Sequence, residues 1–453
     1  MPPQTQNRRD LLQAYRLMTQ RTALALIAGE PDSPNQPLRR RNIATVSGIL
    51  AGVIACAVFG VLGMLSPGPV SGLTTAGTLV IDKDTATPYV PCRASGQQKL
   101  CPALNYASAL LALDSTSVNR VDVTQSTLAN YKIGPTVGIT GLPQDLPTST
   151  DLVKGPWSVC VDTHGVSTLV GGATVGGTAL TTQYAELVKS QGQNWVLWDG
   201  SRMKIPNNIM TVLWPSTTPE TVSTAWLNAL PEVPDFTPPV ITGEGTTVRS
   251  PNGGNANVGQ VFSASTPQGA KDYVLDQSGK LDPITQVQAD LLEFEPSAPK
   301  GQQQIAPSTA AEDVGTPVPA GNLPSTLPKI PHFTAPVCVS YGAGMNRTIT
   351  AGGNIPANAT PTGNGSPTTV DRVWLPQGRG ALIGVTASTD QPPVKTWFLL
   401  DGATRYGLSG SGIAYVLGYN LAQDETVLPA SLVDLLPRGP ALDPTQIQQQ
   451  MTG

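Results

Sequence analysis

WSVCVD at residues 157–162 and APVCVS at residues 335–340 are the two stretches that decide how this chain is arranged. Around each cysteine, apolar residues stand at alternate positions, which is the pattern of a β-strand. If Cys160 and Cys338 are joined, both strands belong to one domain and everything between them is inserted into it. The compartment that surrounds this part of the chain decides whether such a bond persists.

An uncharged run of 23 residues, IATVSGILAGVIACAVFGVLGML, occupies residues 43–65. A helix of this length spans about 34 Å, which matches the ~30 Å hydrocarbon layer of a membrane. A cleavable signal peptide would have an apolar region of only about 7–15 residues and a much shorter leader. The run therefore predicts a retained transmembrane helix.

The segment before this run is basic. Residues 1–42 hold seven arginines and three acids, and Arg39, Arg40 and Arg41 directly adjoin the apolar run. By the positive-inside rule, the N-terminus lies in the cytoplasm and residues 66–453 lie outside. The cytosolic segment then carries a formal charge of +4 and the exported part a formal charge of −8.

The cytosolic segment also has a helical pattern. Leu11, Leu12, Tyr15 and Met18 recur at helical spacing among arginines, which predicts a short amphipathic helix. This helix lies on the inner leaflet or docks a cytosolic partner. A solvated basic leader that only sets the topology is an equally good interpretation.

The chain has five cysteines, and Cys56 falls inside the predicted membrane helix. The other four lie outside, an even number that permits three pairings. Cys92 and Cys101 bracket a short polar loop, whereas Cys160 and Cys338 share matching strand contexts. We therefore predict the bonds Cys92–Cys101 and Cys160–Cys338.

A repeat is visible when two Asp-Gly turns are aligned. NWVLWDGSRMKIP at 194–206 turns at Asp199-Gly200, and KTWFLLDGATRYGLS at 395–409 turns at Asp401-Gly402. Each is a hairpin signature that a helical segment follows. Two weaker copies lie in the regions 77–90 and 260–294, where unrelated α+β segments with similar turns are a strong alternative.

These patterns predict the organisation of the whole chain. It comprises a cytosolic basic helix (1–42), a transmembrane helix (43–65), a first repeat region (66–133), the first part of a central domain (134–192), a second repeat (193–248), a third repeat (249–295), a proline-rich connector without regular structure (296–335), the second part of the central domain (336–393), and a fourth repeat with a tail (394–453).

Composition and motifs exclude several functions. Charged residues are 13 per cent of the chain and the formal net charge is −4, so the cationic field that nucleic acid requires is absent. The sequence has no CxxC, no HExxH and no GxxxxGK[ST], the motifs of zinc sites, metalloproteases and P-loops. We therefore predict no metal, no cofactor and no catalytic residue.

At this point the order of motifs is that of a known family. AYRLMTQR in the stub, LCPALNYASALL, GPTVGITGLPQDLP at 134–147 and WSVCVD together resemble the EccB family, a membrane component of type VII (ESX) secretion systems in actinobacteria. The resemblance implies an elongated periplasmic region with a disulfide-bridged central domain and four repeat domains. The stub and the long proline-rich insert depart from the family's usual pattern.

The resemblance also implies partners. These are EccC, EccD and EccE, the mycosin protease, and further copies of the chain in a hexameric complex in the inner membrane. Family members have been described as ATP hydrolases, but a P-loop is missing here. ATP is thus a cofactor only if that description holds.

The predicted protein is a single-pass membrane protein with an elongated, β-rich α+β exported region. Its predicted function is a structural component of the type VII machinery that scaffolds the assembly of the membrane complex. The alternatives are an extracytoplasmic hydrolase and an anchor that binds peptidoglycan through its repeats.

Overall fold

The structure is a computed structural model that describes residues 8–29, 37–65, 71–295, 299–331, 336–342, 346–363, 365–386 and 395–452. It divides into two units, Met1–Ser71 and Gly72–Gly453. The first unit contains two helices, α1 (Arg8–Ala28) and α2 (Pro37–Leu65). The second unit holds all the β-structure described below.

Both helices of the first unit follow from the sequence pattern. Helix α1 ends where Gly29 adopts a φ of 71°, a conformation that only glycine adopts without cost. Helix α2 includes a stretch, Ile43–Val61, with a mean hydropathy of 2.2, long and apolar enough to cross a membrane. Arg39, Arg40 and Arg41 lie in the first turns of α2, although their side chains lie outside the described part of the structure.

The elements of the second unit follow in chain order. The first repeat contains β1 (Thr78–Asp82), β2 (Pro88–Ala94), β3 (Gln97–Pro102), α3 (Tyr106–Leu113), β4 (Asn119–Val123) and α4 (Gln125–Leu128). The first part of the central domain contains a 3₁₀ turn (Ser149–Asp151), β5 (Trp157–Val161), β6 (Ser167–Gly171) and β7 (Thr178–Ala179). The second repeat contains β8 (Glu186–Ser190), β9 (Gln193–Trp198), β10 (Ser201–Lys204), α5 (Asn207–Leu213), β11 (Glu220–Thr221) and α6 (Thr224–Asn228).

The rest of the unit repeats this plan. The third repeat contains β12 (Thr247–Arg249), β13 (Asn255–Asn257), β14 (Val261–Thr266), β15 (Gly269–Leu275), β16 (Leu281–Ile284), α7 (Gln286–Phe294), β17 (Gln303–Gln304) and α8 (Pro307–Glu312). The second part of the central domain contains β18 (Val337–Tyr341), β19 (Arg347–Ala351), β20 (Thr360–Pro361) and β21 (Arg372–Trp374). The fourth repeat contains β22 (Gly380–Thr386), β23 (Lys395–Asp401), β24 (Thr404–Gly407), α9 (Ser411–Val416), α10 (Leu421–Asp424), β25 (Glu425–Val427) and α11 (Ala430–Val433), and α12 (Pro444–Thr452) follows.

All four repeats share one sheet topology, so the four predicted repeats are confirmed. The sheet orders are β3-β2-β1-β4, β10-β9-β8-β11, β16-β15-β14-β17 and β24-β23-β22-β25. In each, three strands form an antiparallel meander, and a fourth strand after a helix pairs in parallel with the first. A parallel backbone bridge then closes each repeat at its third strand, pairing Leu100 with Ile133, Arg202 with Glu232, Leu281 with Val314, and Arg405 with Arg438.

Two repeats begin earlier than predicted. Strand β8 lies in the sheet of the second repeat, although the predicted boundary is 193, and β22 lies in that of the fourth, although the predicted boundary is 394. Four of the five residues of β8 are buried, so the strand lacks the alternation of a half-exposed strand. Its assignment therefore depends on its pairing partner.

The proline-rich segment 296–335, predicted to lack regular structure, completes the third repeat instead. It supplies β17, which pairs in parallel with β14, and helix α8. Pro307 is the first residue of α8. An N–H group at this position makes no hydrogen bond within the helix, so proline is tolerated there. Further along, Ala185 donates its backbone N–H to the Lys329 carbonyl at 3.0 Å, so this segment also returns to the second repeat.

Residues 134–147, predicted as central domain, connect the first and fourth repeats. Val137, Ile139 and Leu142 lie in one apolar core with residues of both repeats. A Cβ atom at Gly134 would lie 2.5 Å from Cys101 Sγ, so only glycine lets this segment pass over the first disulfide. The C-terminal helix holds the segment too, because the Gly138 N–H donates to the Gln450 side chain at 2.8 Å.

The two Asp-Gly hairpins turn differently. Ser201 pairs with Trp198, so Asp199 and Gly200 form the two-residue turn, and both have positive φ, as a type I′ turn requires. In the fourth repeat Asp401 pairs with Thr404, so the turn is Gly402-Ala403, one residue later than predicted. Gly402, at the first turn position, has a φ of 58°.

The central sheet has seven strands in the order β20-β21-β6-β5-β18-β19-β7. Its middle pair, β5 and β18, is antiparallel and places Cys160 directly opposite Cys338. The structure bonds these cysteines, whose Cα atoms are 4.0 Å apart, and bonds Cys92 to Cys101 within the β2–β3 hairpin. The Cys160–Cys338 bond joins strands that are 178 residues apart.

Replacing both Cys160 and Cys338 by serine is expected to lower the free energy of unfolding by about 2–5 kcal/mol, because the bond restricts a very long loop in the unfolded chain. Chemical unfolding of the full-length protein in detergent measures this loss. Cys56→Ser replaces the cysteine that forms neither bond. This variant is the matched control, and its unfolding midpoint is expected to equal that of the wild type. Equal midpoints for the control and the double variant would contradict the expectation.

Candidate functional site on the central sheet

The predicted site residues lie in separate parts of the molecule. Cys160 and Cys338 meet at the centre of the seven-stranded sheet, whereas Cys92 and Cys101 meet in the first repeat. Asp199 and Gly200 form a hairpin tip, and a Cβ atom on Gly200 would lie 3.1 Å from the Arg347 carbonyl oxygen of β19. Of these predicted residues, Cys160 and Cys338 lie on the strands against which the second and fourth repeats pack.

The second repeat docks on the central sheet through the helix α6. Trp226 of α6 is 1% exposed, and its indole N–H donates to the Val159 carbonyl of β5 at 3.1 Å. The Tyr341 hydroxyl of β18 donates to the Ala229 carbonyl at 2.6 Å, and burial raises the pKa of this phenol. A neutral donor on each side therefore fixes the repeat to the disulfide-bonded strand pair.

The fourth repeat docks on the same sheet by its equivalent helix. Leu432, Leu435 and Leu436, in or just after α11, lie in one core with Trp157 and Val159 of β5. The Val370 N–H donates to the Leu435 carbonyl at 2.9 Å. The two repeats thus share one apolar platform.

A cleft of about 620 Å³ separates the closing bridges of these two repeats. Arg202 and Arg405, which occupy equivalent places in β10 and β24, line it. Each guanidinium lies near an aromatic ring, with Cζ 5.0 Å from the Trp195 centroid and 5.2 Å from the Phe398 centroid. Arg405 is only 4% exposed, so its charge must be compensated within the protein.

Carboxylates supply that compensation. Arg202 Nη2 is 3.3 Å from Glu232 Oε2, and Lys204 Nζ is 2.6 Å from Glu232 Oε1. Arg405 Nη2 is 2.9 Å from Asp434 Oδ1. Burial lowers the pKa of both arginines, while the Lys204 hydrogen bond lowers the pKa of Glu232. The arginine cleft therefore contains paired charges that hold each repeat's closing segment.

A second cavity, which we call the acid pocket, lies where the second repeat meets the ends of β5 and β18. It has a volume of about 410 Å³ and includes Asp162, Glu186 and Glu220 in its lining. Glu186 is 7% exposed, and its Oε2 atom is buried without a hydrogen-bond partner. Burial, and secondly the Glu220 carboxylate, raise the pKa of Glu186 to about 7.

The fourth repeat forms a counterpart at the opposite ends of the same strands. This cavity of about 520 Å³ is lined by Trp157 of β5, Tyr341 of β18 and Thr426 of β25, and its charged lining residue is Lys154. The two docking sites thus match in topology and differ in charge.

The arrangement offers binding surfaces more readily than catalysis. Within the described ranges, no group of three or more His, Cys, Asp and Glu side chains is placed to hold a metal ion. Glu186 and Glu220 are close enough for their charges to interact.

Sequence reasoning named no residue of the arginine cleft or of the acid pocket. A basic residue follows the turn in both aligned hairpins, Arg202 and Arg405, and this shared position is a signal that could have found the arginine cleft. Glu186 carried no such signal, because a glutamate at a strand start is ordinarily solvated. Its burial depends on β11 and on the turn after β5.

Fold and site together define a class of protein: the described residues include one helix long and apolar enough to cross a membrane, and the second unit has four like repeats, two of which dock on a disulfide-bonded sheet. A family model described as "Type VII secretion system ESX-1, transport TM domain B" matches residues 4–452. The chain belongs to this family, EccB.

Relatives and solved structures agree with this assignment. The "ESX-5 secretion system ATPase EccB5" of Mycobacterium tuberculosis is 27% identical over 472 residues, which cover 94% of this chain and 90% of the relative. The "ESX-3 secretion system ATPase EccB3" of Mycolicibacterium smegmatis is 25% identical over 484 residues, covering 96% and 89%. A chain of an intact ESX-5 inner membrane complex has a TM-score of 0.65 at 22% identity, covering 99% of this chain and 96% of that chain.

The raised pKa of Glu186 predicts a pH-dependent stability. Between pH 4.5, the ordinary value, and about 7, the folded protein retains a proton that the unfolded chain has released, so the free energy of unfolding falls as pH rises through this window. The full difference corresponds to roughly 3 kcal/mol.

Glu186→Gln keeps the shape of the protonated acid and is expected to remove this contribution to the slope. Unfolding midpoints of the full-length protein from pH 5 to 8 measure the effect. Glu312→Gln, an exposed position in α8, is the control and keeps the wild-type slope. A Glu186→Gln profile that overlays the wild-type profile would refute the prediction.

Proposed function

We propose that this protein is a structural component of the inner membrane complex of a type VII secretion system and scaffolds the assembly of that complex. The observation that carries the proposal is the docking of the second and fourth repeats on one disulfide-bonded sheet through buried contacts. Such a body holds separate binding surfaces at fixed spacing. A relative of the same fold is part of an ESX-5 inner membrane complex.

We propose that the N-terminus is cytoplasmic and that the second unit lies in the periplasm. Arg39, Arg40 and Arg41 before the apolar stretch of α2 support this orientation through the positive-inside rule. The disulfides of the second unit support it as well, because such bonds persist in oxidising compartments.

The proposed partners are EccC, EccD, EccE and the mycosin protease of the same ESX system, together with further copies of this chain. One solved structure of the same fold is an EccB3 dimer from an ESX-3 core complex, with a TM-score of 0.64 at 23% identity. That dimer supports self-association, and a hexameric complex is the proposed final state.

We further propose that the protein acts without hydrolysing ATP, although its relatives are named ATPases. The sequence has no P-loop. The arginine cleft is a poor place for a triphosphate, because Glu232 and Asp434 already pair with its guanidinium groups and would repel phosphate oxygens. The residues of the cleft thus do not fit the nucleotide.

Affinity capture of this protein by a C-terminal tag, after mild detergent extraction from its own membranes, is expected to recover EccC, EccD and EccE. Mass spectrometry identifies them, and size-exclusion chromatography with light scattering gives the mass of the assembly. The tag fused to an unrelated single-span protein is the control. Recovery of a lone monomer from intact membranes would count against the scaffold function.

Full-length protein in detergent and the Arg202→Gln/Arg405→Gln variant are both expected to release phosphate from Mg-ATP no faster than the buffer blank. The physical reason is that Arg202 and Arg405 are already paired with Glu232 and Asp434, whose carboxylates repel phosphate oxygens. A coupled phosphate assay makes the comparison, with a buffer blank as the baseline. Turnover in the wild type that the variant loses would overturn the non-catalytic proposal.

A further inference from the structure

The acid pocket carries a charge that its own walls do not neutralise. Asp162, Glu186 and Glu220 are the charged residues of its lining, and no basic residue is among them. Glu186 lines the pocket, is 7% exposed, and has one carboxyl oxygen, Oε2, that is buried without a hydrogen-bond partner. A buried polar atom without a partner costs free energy, so a ligand that supplies a hydrogen-bond donor to Glu186 is expected to be stabilised in this pocket.

The groups packed around Glu186 come from several elements. Glu220 lies on the parallel strand β11, opposite Val188, and Asp162 lies in the turn after β5, where its carboxylate accepts backbone N–H groups of that turn. On its own strand, Lys189 is exposed. Arg202 is two strands away from Glu186, because Leu197 of β9 pairs with Glu186 on one side and with Arg202 on the other. The Arg202 guanidinium forms an ion pair with Glu232.

The fourth repeat shows that the fold does not require these acids. Across the meander of the second repeat, Glu186 pairs with Leu197, which pairs with Arg202. The equivalent residues of the fourth repeat are Ala381, Leu400 and Arg405. Ala381 therefore occupies the position of Glu186. Two residues further along the first strand, Val188 of the second repeat pairs with Glu220 of the parallel strand. The equivalent residue of the fourth repeat, Ile383, pairs with Thr426. The same topology therefore forms with a small residue and a hydroxyl at these two places.

Part of the wall of the acid pocket is apolar. Val161, Val222, Trp226 and Val337 contribute to its lining, so an aliphatic stem finds contact beside the carboxylates. The volume of about 410 Å³ exceeds what a bare ion needs, and the described part of the chain shows no metal-ligand cluster. Long cationic side chains bury their stems in this way and keep the charged end on a carboxylate.

We propose that the acid pocket binds an organic cation, a primary ammonium or guanidinium group on an aliphatic stem, through Glu186 and Glu220. The cation pairs with the carboxylates of Glu186 and Glu220, the two acids that the second repeat contributes to the lining. The source is a lysine or arginine side chain of a partner protein or a free amine, and both present the same chemistry.

Binding is coupled to the ionisation of Glu186. Burial and Glu220 raise the pKa of the empty site to about 7, and a bound cation lowers it. The cation therefore binds more tightly as the pH rises from 6 to 8, by roughly tenfold for one titrating group.

The test is calorimetric titration of the full-length protein in an uncharged maltoside detergent. The probes are the capped tripeptides Gly-Lys-Gly and Gly-Arg-Gly, the neutral matched tripeptide Gly-norleucine-Gly, and n-butylammonium chloride. The proposal expects the cationic tripeptides to bind and the norleucine tripeptide to bind at least about tenfold more weakly, since an ionic hydrogen bond is lost. Tighter binding of the tripeptides than of butylammonium identifies a protein side chain as the ligand, and the reverse identifies a free amine.

Three variants separate this site from general surface charge. Glu186→Gln is expected to weaken the cationic probes at least tenfold and to abolish the rise from pH 6 to 8, and Glu220→Gln to weaken them less. Glu312→Gln retains wild-type affinity. An unchanged unfolding midpoint at pH 5, where Glu186 is protonated, verifies that Glu186→Gln is folded.

Equal binding of the neutral tripeptide, or full affinity in folded Glu186→Gln, would overturn the proposal. Failure of every cationic probe to bind the wild type at pH 8 would do so as well. These results are independent of whether the protein co-purifies with a secretion complex, so the scaffold function and the cation site stand or fall separately.

Discussion

The antiparallel pairing of β5 with β18 is the interaction on which the rest of the structure depends. It places Cys160 opposite Cys338, residues that are 178 apart in the chain, and it thereby makes a single domain from two distant segments. In the order of the sequence, the second and third repeats come between these two strands. Trp226 docks the second repeat by a hydrogen bond to β5 itself, so the position of that repeat follows from the same pairing.

One topology supports two different chemistries on this platform. The second and fourth repeats place equivalent helices on the sheet and close with equivalent arginines. At one docking site the cavity lining contains three acids, whereas the matching cavity contains Lys154. Backbone hydrogen bonds define the repeat, so side chains at the edges of the docking sites are free to differ. This division is suited to a scaffold whose copies of one module meet different partners.

Turn chemistry revealed the second and fourth repeats because two-residue hairpins need positive φ, and Asp199-Gly200 and Gly402 provide it. The first and third repeats have the same topology but could not be separated from unrelated α+β segments, since their hairpins lack the aligned Asp-Gly pair. The starts of the second and fourth repeats were missed for a physical reason as well. Strands such as β8 are buried on both faces, so they show no period-two pattern.

The sequence by itself determined a helix long and apolar enough to cross a membrane, an even number of cysteines after that helix and the two strongest hairpins, because these depend on local length, polarity and backbone freedom. Only the tertiary structure decided the sheet membership of β8 and β22, the role of the proline-rich segment and the environment of Glu186. Strand partners and the burial of a carboxylate depend on residues brought from distant parts of the chain. No local pattern records which residues those are.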